Sequence, residues 1–236
     1  MPLTQEETER YARHLSLPEL GEEGQQKLKR AHIALVGLGG LGSPAALYLA
    51  AAGVGRLTLI DPDAVTLSNL QRQILHAADS AGTAKTDSAS CRLKALNPAV
   101  EITTATERLT PDNALALLEK CDLAVDASDN YAARFALADA CAALRIPLVH
   151  GAVGGWFFEA GTVPPGSGML GRVYPGGREP ERTRTHSSVV SACAAVQAAE
   201  AEKLLTGAEP TLWGRLLMAD LDSMETHVVS FCTFCG

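Results

Sequence analysis

The sequence predicts a doubly wound α/β fold of Rossmann type, a mostly parallel sheet with helices on both faces. Three observations carry this reading. Short, nearly continuous apolar runs at His32 to Val36, Leu57 to Ile60, Leu123 to Asp126 and Pro147 to His150 have the character of strands covered on both faces. Helical stretches at Leu41 to Ala51, Ala84 to Leu96, Asn113 to Leu118 and Asn130 to Leu144 alternate with them, which is the grammar of parallel βαβ units. The composition, Ala-rich with 47% hydrophobic and only 5% aromatic residues, suits helices packed on a sheet better than a β-sandwich.

From Thr4 to Lys29 a polar helical pattern, broken by Pro18 and Gly21, predicts two short helices, so residues 1–30 form an N-terminal arm that packs on the domain or reaches a second subunit. The first strand then runs into Gly37-Leu38-Gly39-Gly40-Leu41-Gly42, and the second ends at Asp61. Strand, glycine turn, helix, strand, acid is the order that builds a site for the adenosine half of a nucleotide. Gly37, Gly39, Gly40 and Gly42 permit a tight turn, close approach of backbone to phosphate and tight helix packing, and Asp61 accepts hydrogen bonds from ribose hydroxyls. That fingerprint alone suits NAD. Between Asp61 and the next apolar run, however, Ser68-Asn69-Leu70-Gln71-Arg72-Gln73 and Lys85 add polar and cationic groups that a triphosphate uses and a hydride-transfer pocket does not.

Beyond Gly151, residues 151–187 are crowded with Gly and Pro and predict turn-rich β structure or loop, not helix. A long helix follows from about Ser188 to Leu205, ending near Gly207, and two last strands at Arg215 to Ala219 and Thr226 to Phe231 give the C-terminal part an antiparallel character. With 236 residues, the chain (1–236) is read as a single nucleotide-binding domain without a second core.

A net charge of −7 argues against nucleic acid as the main partner, because phosphate backbones are bound with surplus Lys and Arg. Met1 to Arg13 lacks the apolar core of a signal peptide and no apolar stretch has the length of a membrane span, so the expectation is a cytoplasmic protein with no membrane partner. Its six cysteines are then reduced thiols, with Cys91, Cys121, Cys141 and Cys193 read as core residues.

Arg10-Tyr11-Ala12-Arg13, Ser68 to Gln73 and Asp126-Ala127-Ser128-Asp129-Asn130, at these spacings, resemble the ThiF/MoeB/HesA family, bacterial relatives of ubiquitin-activating enzymes. The resemblance runs from about Arg10 to Val153 and resumes at Val196 to Leu204 and the terminal Cys pair. It implies an ATP-dependent adenylyltransferase that activates the C-terminal glycine carboxylate of a ubiquitin-like sulfur-carrier protein ending in Gly-Gly, forming an acyl adenylate and releasing pyrophosphate. On the same resemblance ATP and Mg²⁺ are required. Gly37, Gly39, Gly40, Gly42, Asp61, Asp63 and Gln73 would line the nucleotide, and Asn69, Arg72 and Lys85 would contact its phosphates. Asp129 would bind Mg²⁺, and Arg13 would reach into the site of a neighbouring subunit, implying a homodimer. The catalytic set is therefore Arg13, Arg72, Lys85 and Asp129. The set also makes chemical sense, since attack of a carboxylate on the α-phosphate brings two anions together and needs cations rather than a protein nucleophile.

The sequence departs from the family twice. Members commonly bind structural zinc with two Cys-x-x-Cys pairs; here Cys232 and Cys235 supply one pair, but Gly168 to Pro175 holds no cysteine. Two thiolates are half of a tetrahedral site, so unless His186 or a partner chain adds ligands the pair reads as a remnant, reduced or loosely disulfide-bonded. Members also often carry a cysteine before the long late helix that bonds the carrier. Arg182 to Ser188 has none, and Cys193, further along in an Ala-rich apolar stretch, reads as a buried hydrophobe, so the expected chemistry stops at the acyl adenylate. Two competing readings are an NAD-dependent oxidoreductase, resting on the glycine turn and Asp61 alone, and a non-catalytic dimeric relative. Against the second, a scaffold need not hold Arg72, Lys85 and Asp129 together.

Overall fold

The computed structural model describes residues 2–177 and 184–231. The arm folds as three helices where two were expected: α1 (Gln5–Arg10), α2 (Ala12–Leu15) and α3 (Gly21–Arg30). Thr4 starts α1 with a capping box: its hydroxyl accepts from the Glu7 amide, and the Glu7 carboxylate accepts from the Thr4 amide. Lys29 Nζ then donates to that same carboxylate at 2.7 Å, tying α1 to α3.

The elements that follow are β1 (His32–Val36), α4 (Gly42–Ala52), β2 (Arg56–Ile60), α5 (Lys85–Leu96), β3 (Glu101–Ala105), α6 (Ala114–Leu118), β4 (Leu123–Asp126), α7 (Tyr131–Leu144), β5 (Leu148–Gly154), β6 (Phe157–Val163), α8 (Met169–Val173), α9 (Ser187–Thr206), β7 (Arg215–Asp220) and β8 (Glu225–Ser230). They form one eight-stranded sheet in the order β3-β2-β1-β4-β5-β6-β7-β8. The pairs from β3 to β5 are parallel, and those from β5 to β8 antiparallel. The chain leaves β1 toward β2 on one side and returns to β4 on the other. That reversal of strand order opens a crevice beyond the carboxyl ends of β1 and β4.

Burial on both faces explains why β1 is apolar from Ile33 to Val36. Ile33 and Leu35 pack under α4, α5 and α9 with Leu49, Leu57 and Ala194, while Ala34 and Val36 pack on the other face with Leu118, Leu137 and Leu148. Each fully buried Leu or Ile contributes roughly 1.5–3 kcal/mol. Gly151 lets α9 lie against β5, because a Cβ there would sit 2.6 Å from the Gln197 side-chain carbon.

Three further features differ from the sequence reading. Strand β3 was not expected; it is an edge strand with Glu101, Thr103 and Thr104 exposed, so it has no apolar run to betray it. The Gly-rich segment contains the short helix α8, held by burial of Met169 and Leu170. Cys121, Cys141 and Cys193 are buried free thiols, but Cys91 is exposed on α5 rather than a core residue. Among the described residues no helix is long and apolar enough to cross a membrane.

Candidate nucleotide site

A cavity of about 790 Å³ occupies the crevice. Its floor is the glycine turn after β1. Gly37 has φ +94°, and a Cβ there would lie 2.4 Å from the Ala127 carbonyl oxygen, so only glycine lets this turn press against the end of β4. Gly37, Gly39 and Gly40 line the cavity. Gly42 does not: a Cβ on it would lie 1.8 Å from the Gly37 oxygen, so it closes the turn from behind as α4 begins.

Asp61 leaves the end of β2 buried, with Oδ2 accepting from the Leu38 amide at 2.6 Å and Oδ1 from the Asp63 amide at 2.9 Å. A carboxylate offers about four lone-pair directions, so acceptor capacity remains for ribose hydroxyls. Lys85, the first residue of α5, sends its buried Nζ to 2.9 Å from Asp63 Oδ2 and 3.6 Å from Asp61 Oδ1. An ammonium has three donors and the bond to Asp63 takes one, which leaves donors for a further anion.

Arg72 and Gln73 come from the irregular crossover after β2. The Asn69 carbonyl accepts from both their amides, which folds this stretch over the glycine turn and sets the Arg72 stem against Gly40. Among the described residues Arg72 makes no ion pair. Asn69 itself does not line the cavity, because its Oδ1 is occupied by the Thr66 hydroxyl at 2.8 Å within its own loop. Gln73 is buried, and among the described residues neither its Oε1 nor Thr185 Oγ1 in the same wall has a hydrogen-bond partner. Buried polar atoms of this kind want a polar ligand. With the glycine cradle, Arg72 and Lys85, they fit a nucleotide polyphosphate.

Asp129 stands exposed at the mouth. It is not the cap of α7; Asn130 is, accepting from the Ala133 amide at 2.9 Å. The Asp129 carboxylate is thus available, and one or two carboxylates beside phosphate oxygens is the usual holding of Mg²⁺. Arg13 lies exposed on α2 and does not line this chain's cavity. Cys232, Cys235, Arg182 and Thr183 lie outside the described residues. Within the described residues no group of three or more His, Cys, Asp or Glu could hold a metal, and His186 stacks on Trp156 at 4.2 Å.

The sequence reading missed a buried network beneath Asp129. Asp126 accepts from Ser128 Oγ at 2.6 Å, Arg134 Nε at 3.0 Å and His150 Nδ1 at 2.8 Å. His150 Nε2 meets the Tyr174 hydroxyl, which donates to Glu159. Burial alone would raise the Asp126 carboxyl, but the Arg134 guanidinium and His150 outweigh it and hold it well below the usual carboxylate range. Arg134, Glu159 and Tyr174 face the cavity, and the guanidinium lies 5.0 Å from the Tyr174 ring centre. Arg134 sits one helical turn after Asn130, a signal available in the sequence; Glu159 arrives only through the β5–β6 register. Cys193 is fully buried, and burial pushes its thiol far above the range of a nucleophile.

A family model described as "ThiF family" matches residues 11–233. The "SAMP-activating enzyme E1" of Haloferax volcanii is 38% identical, over 97% of this chain and 88% of its own length. The "Adenylyltransferase and sulfurtransferase MOCS3" of Culex quinquefasciatus is 41% identical over 92% of this chain, and the chain spans about half (51%) of that relative. Among solved structures, PaaA superposes with a TM-score of 0.85 at 25% identity, covering 98% of this chain and 76% of its own. MccB of E. coli crystallised with ATP gives 0.80 at 22% identity, covering 96% and 74%, a likeness of fold. Family match, near full-length relative and sheet architecture agree that the chain belongs to the ThiF family.

Proposed function

We propose that this protein is an ATP-dependent adenylyltransferase that activates the C-terminal glycine carboxylate of a ubiquitin-like sulfur-carrier protein. The carrying observation is convergence: Arg72, Lys85 and Asp129, distant in sequence, line one crevice with the glycine turn and Asp61. The printed names of the relatives, a SAMP-activating E1 and an adenylyltransferase, support the same chemistry.

In the reaction a carrier carboxylate oxygen bonds to the α-phosphorus of ATP and the bond to the bridging oxygen breaks, releasing pyrophosphate. Asp61 holds the ribose, and the glycine turn brings backbone amides to the phosphates. Arg72 offers a planar fork and Lys85 a point charge to the phosphate oxygens, drawing off negative charge as the carboxylate approaches. Mg²⁺ on Asp129 would neutralise further phosphate charge. No side chain needs to accept a proton in this step, so positioning and charge do the work. Arg13 is exposed and does not line its own cavity, and we assign it to the site of a second copy in a homodimer.

Pyrophosphate exchange into ATP tests the reading. With a carrier ending in Gly-Gly, exchange is expected for the natural chain and lost in Asp129→Ala; exchange untouched by that change would remove Asp129 from the mechanism.

A further inference from the structure

The glycine turn is gripped from outside the cavity by a histidine. His76 is buried, with Nε2 3.1 Å from the Leu38 carbonyl oxygen and Nδ1 3.0 Å from Ser88 Oγ on α5. A carbonyl only accepts, so Nε2 carries the hydrogen and donates, while Nδ1 accepts from the serine hydroxyl. Burial pushes the His76 pKa down, in keeping with a neutral ring.

Leu38 is therefore clamped at both of its backbone polar groups. Its amide donates to Asp61 Oδ2, and its carbonyl accepts from His76 and, at 3.2 Å, from Ser43 Oγ. The Leu38–Gly39 peptide is trans, and in a trans peptide the carbonyl oxygen and the next amide hydrogen point to opposite sides. Fixing the oxygen on His76 turns the Gly39 N–H the other way. Gly39 lines the cavity whereas His76 does not, and no acceptor among the described residues takes that N–H.

We propose that His76 is a positioning residue of the adenylation site: by holding the Leu38 carbonyl it presents the Gly39 amide as a donor to an oxygen of the bound nucleotide. The proposal rests on the ATP reading above.

The test compares His76→Gln with His76→Asn and His76→Phe in the full chain. A Gln amide nitrogen reaches the place of Nε2 and keeps the donor to Leu38. Asn stops at the place of Nδ1, and Phe keeps the ring volume without any donor. Calorimetric titration with α,β-methylene ATP is expected to show affinity within about twofold of the natural chain for H76Q, and weakened about five- to tenfold for H76F and H76N, the order of one lost hydrogen bond. In exchange assays the KM for ATP should rise in step in H76F and H76N. H76N carries the comparison if H76F does not fold. Equal affinity in all three variants, or an equal loss in H76Q and H76N, overturns the positioning role. Failure of the natural chain to bind the analogue would overturn the adenylation reading and this proposal with it, whereas binding that is indifferent to His76 overturns this proposal alone.

Discussion

Arg134 Nε donates to Asp126 Oδ2 at 3.0 Å, and neither side chain reaches solvent to any useful extent, at 6% and 0% exposure. The pair fixes the end of β4 to α7, and the link between them carries Asp129 and Asn130 along the crevice. Removing one partner of a buried ion pair leaves the other charged and desolvated. Arg134→Ala is expected to cost about 3–5 kcal/mol in denaturant unfolding; a loss below about 1 kcal/mol would show that the pair does not anchor β4 to α7.

The same network sets the acid stability. Asp126 and Glu159 are both held below their ordinary values in the folded chain, Asp126 against burial by Arg134 and His150, Glu159 against burial by His150 and Tyr174. Their contribution is complete above the unfolded carboxyl values, near about 4, and is lost as pH falls through the lower folded values. Unfolding free energy measured from pH 6 down to 2 should therefore fall steeply below about pH 4, and less steeply in Asp126→Asn. Parallel curves for the two proteins would contradict this.

On the proposed reading both Lys85, which pairs with Asp61 and Asp63, and Arg72, which makes no ion pair among the described residues, meet charge that develops on the phosphates. Lys85→Ala is expected to lower the exchange rate by roughly a hundredfold or more. Arg72→Ala should act in the same direction, with the circular dichroism spectrum and melting temperature close to those of the natural chain. Full exchange in either variant would take that residue out of the reaction.

Among the described cysteines only Cys91 is exposed. Burial pushes Cys121 up to about 11 and Cys141 up to about 12, and Cys193 further still. Brief treatment with iodoacetamide followed by peptide mass analysis should label Cys91 and spare these three. Early labelling of Cys193 would reopen a covalent step on α9.

Strands β1, β2, β4 and β5 could be read from the sequence because burial on both faces imposes nearly continuous apolar runs. Strand β3 could not, since Thr103 and Thr104 face solvent at the sheet edge. β6 was hidden among glycines, with Gly161 placed where a Cβ would meet the Arg215 oxygen at 2.3 Å. That the glycine turn, Asp61, Lys85 and Asp129 share one crevice was legible because each follows a strand or opens a helix, whereas Arg72, in the irregular crossover, was marked only by the string Ser68 to Gln73. His150, Glu159 and Tyr174 were not, because His150 meets Asp126, and Tyr174 and Glu159 meet His150, only through strand register and the fold of the segment after β6. His76 carries no local signal at all; its contact depends on two loops crossing.

The most direct measurement follows the α-phosphate. ATP labelled there, incubated with the protein, Mg²⁺ and a ubiquitin-like carrier ending in Gly-Gly, should leave its label as AMP on the carrier's terminal glycine, with pyrophosphate released in equal amount. Label that never reaches the carrier, with no carrier-dependent pyrophosphate, would contradict adenylation as the chemistry of this crevice.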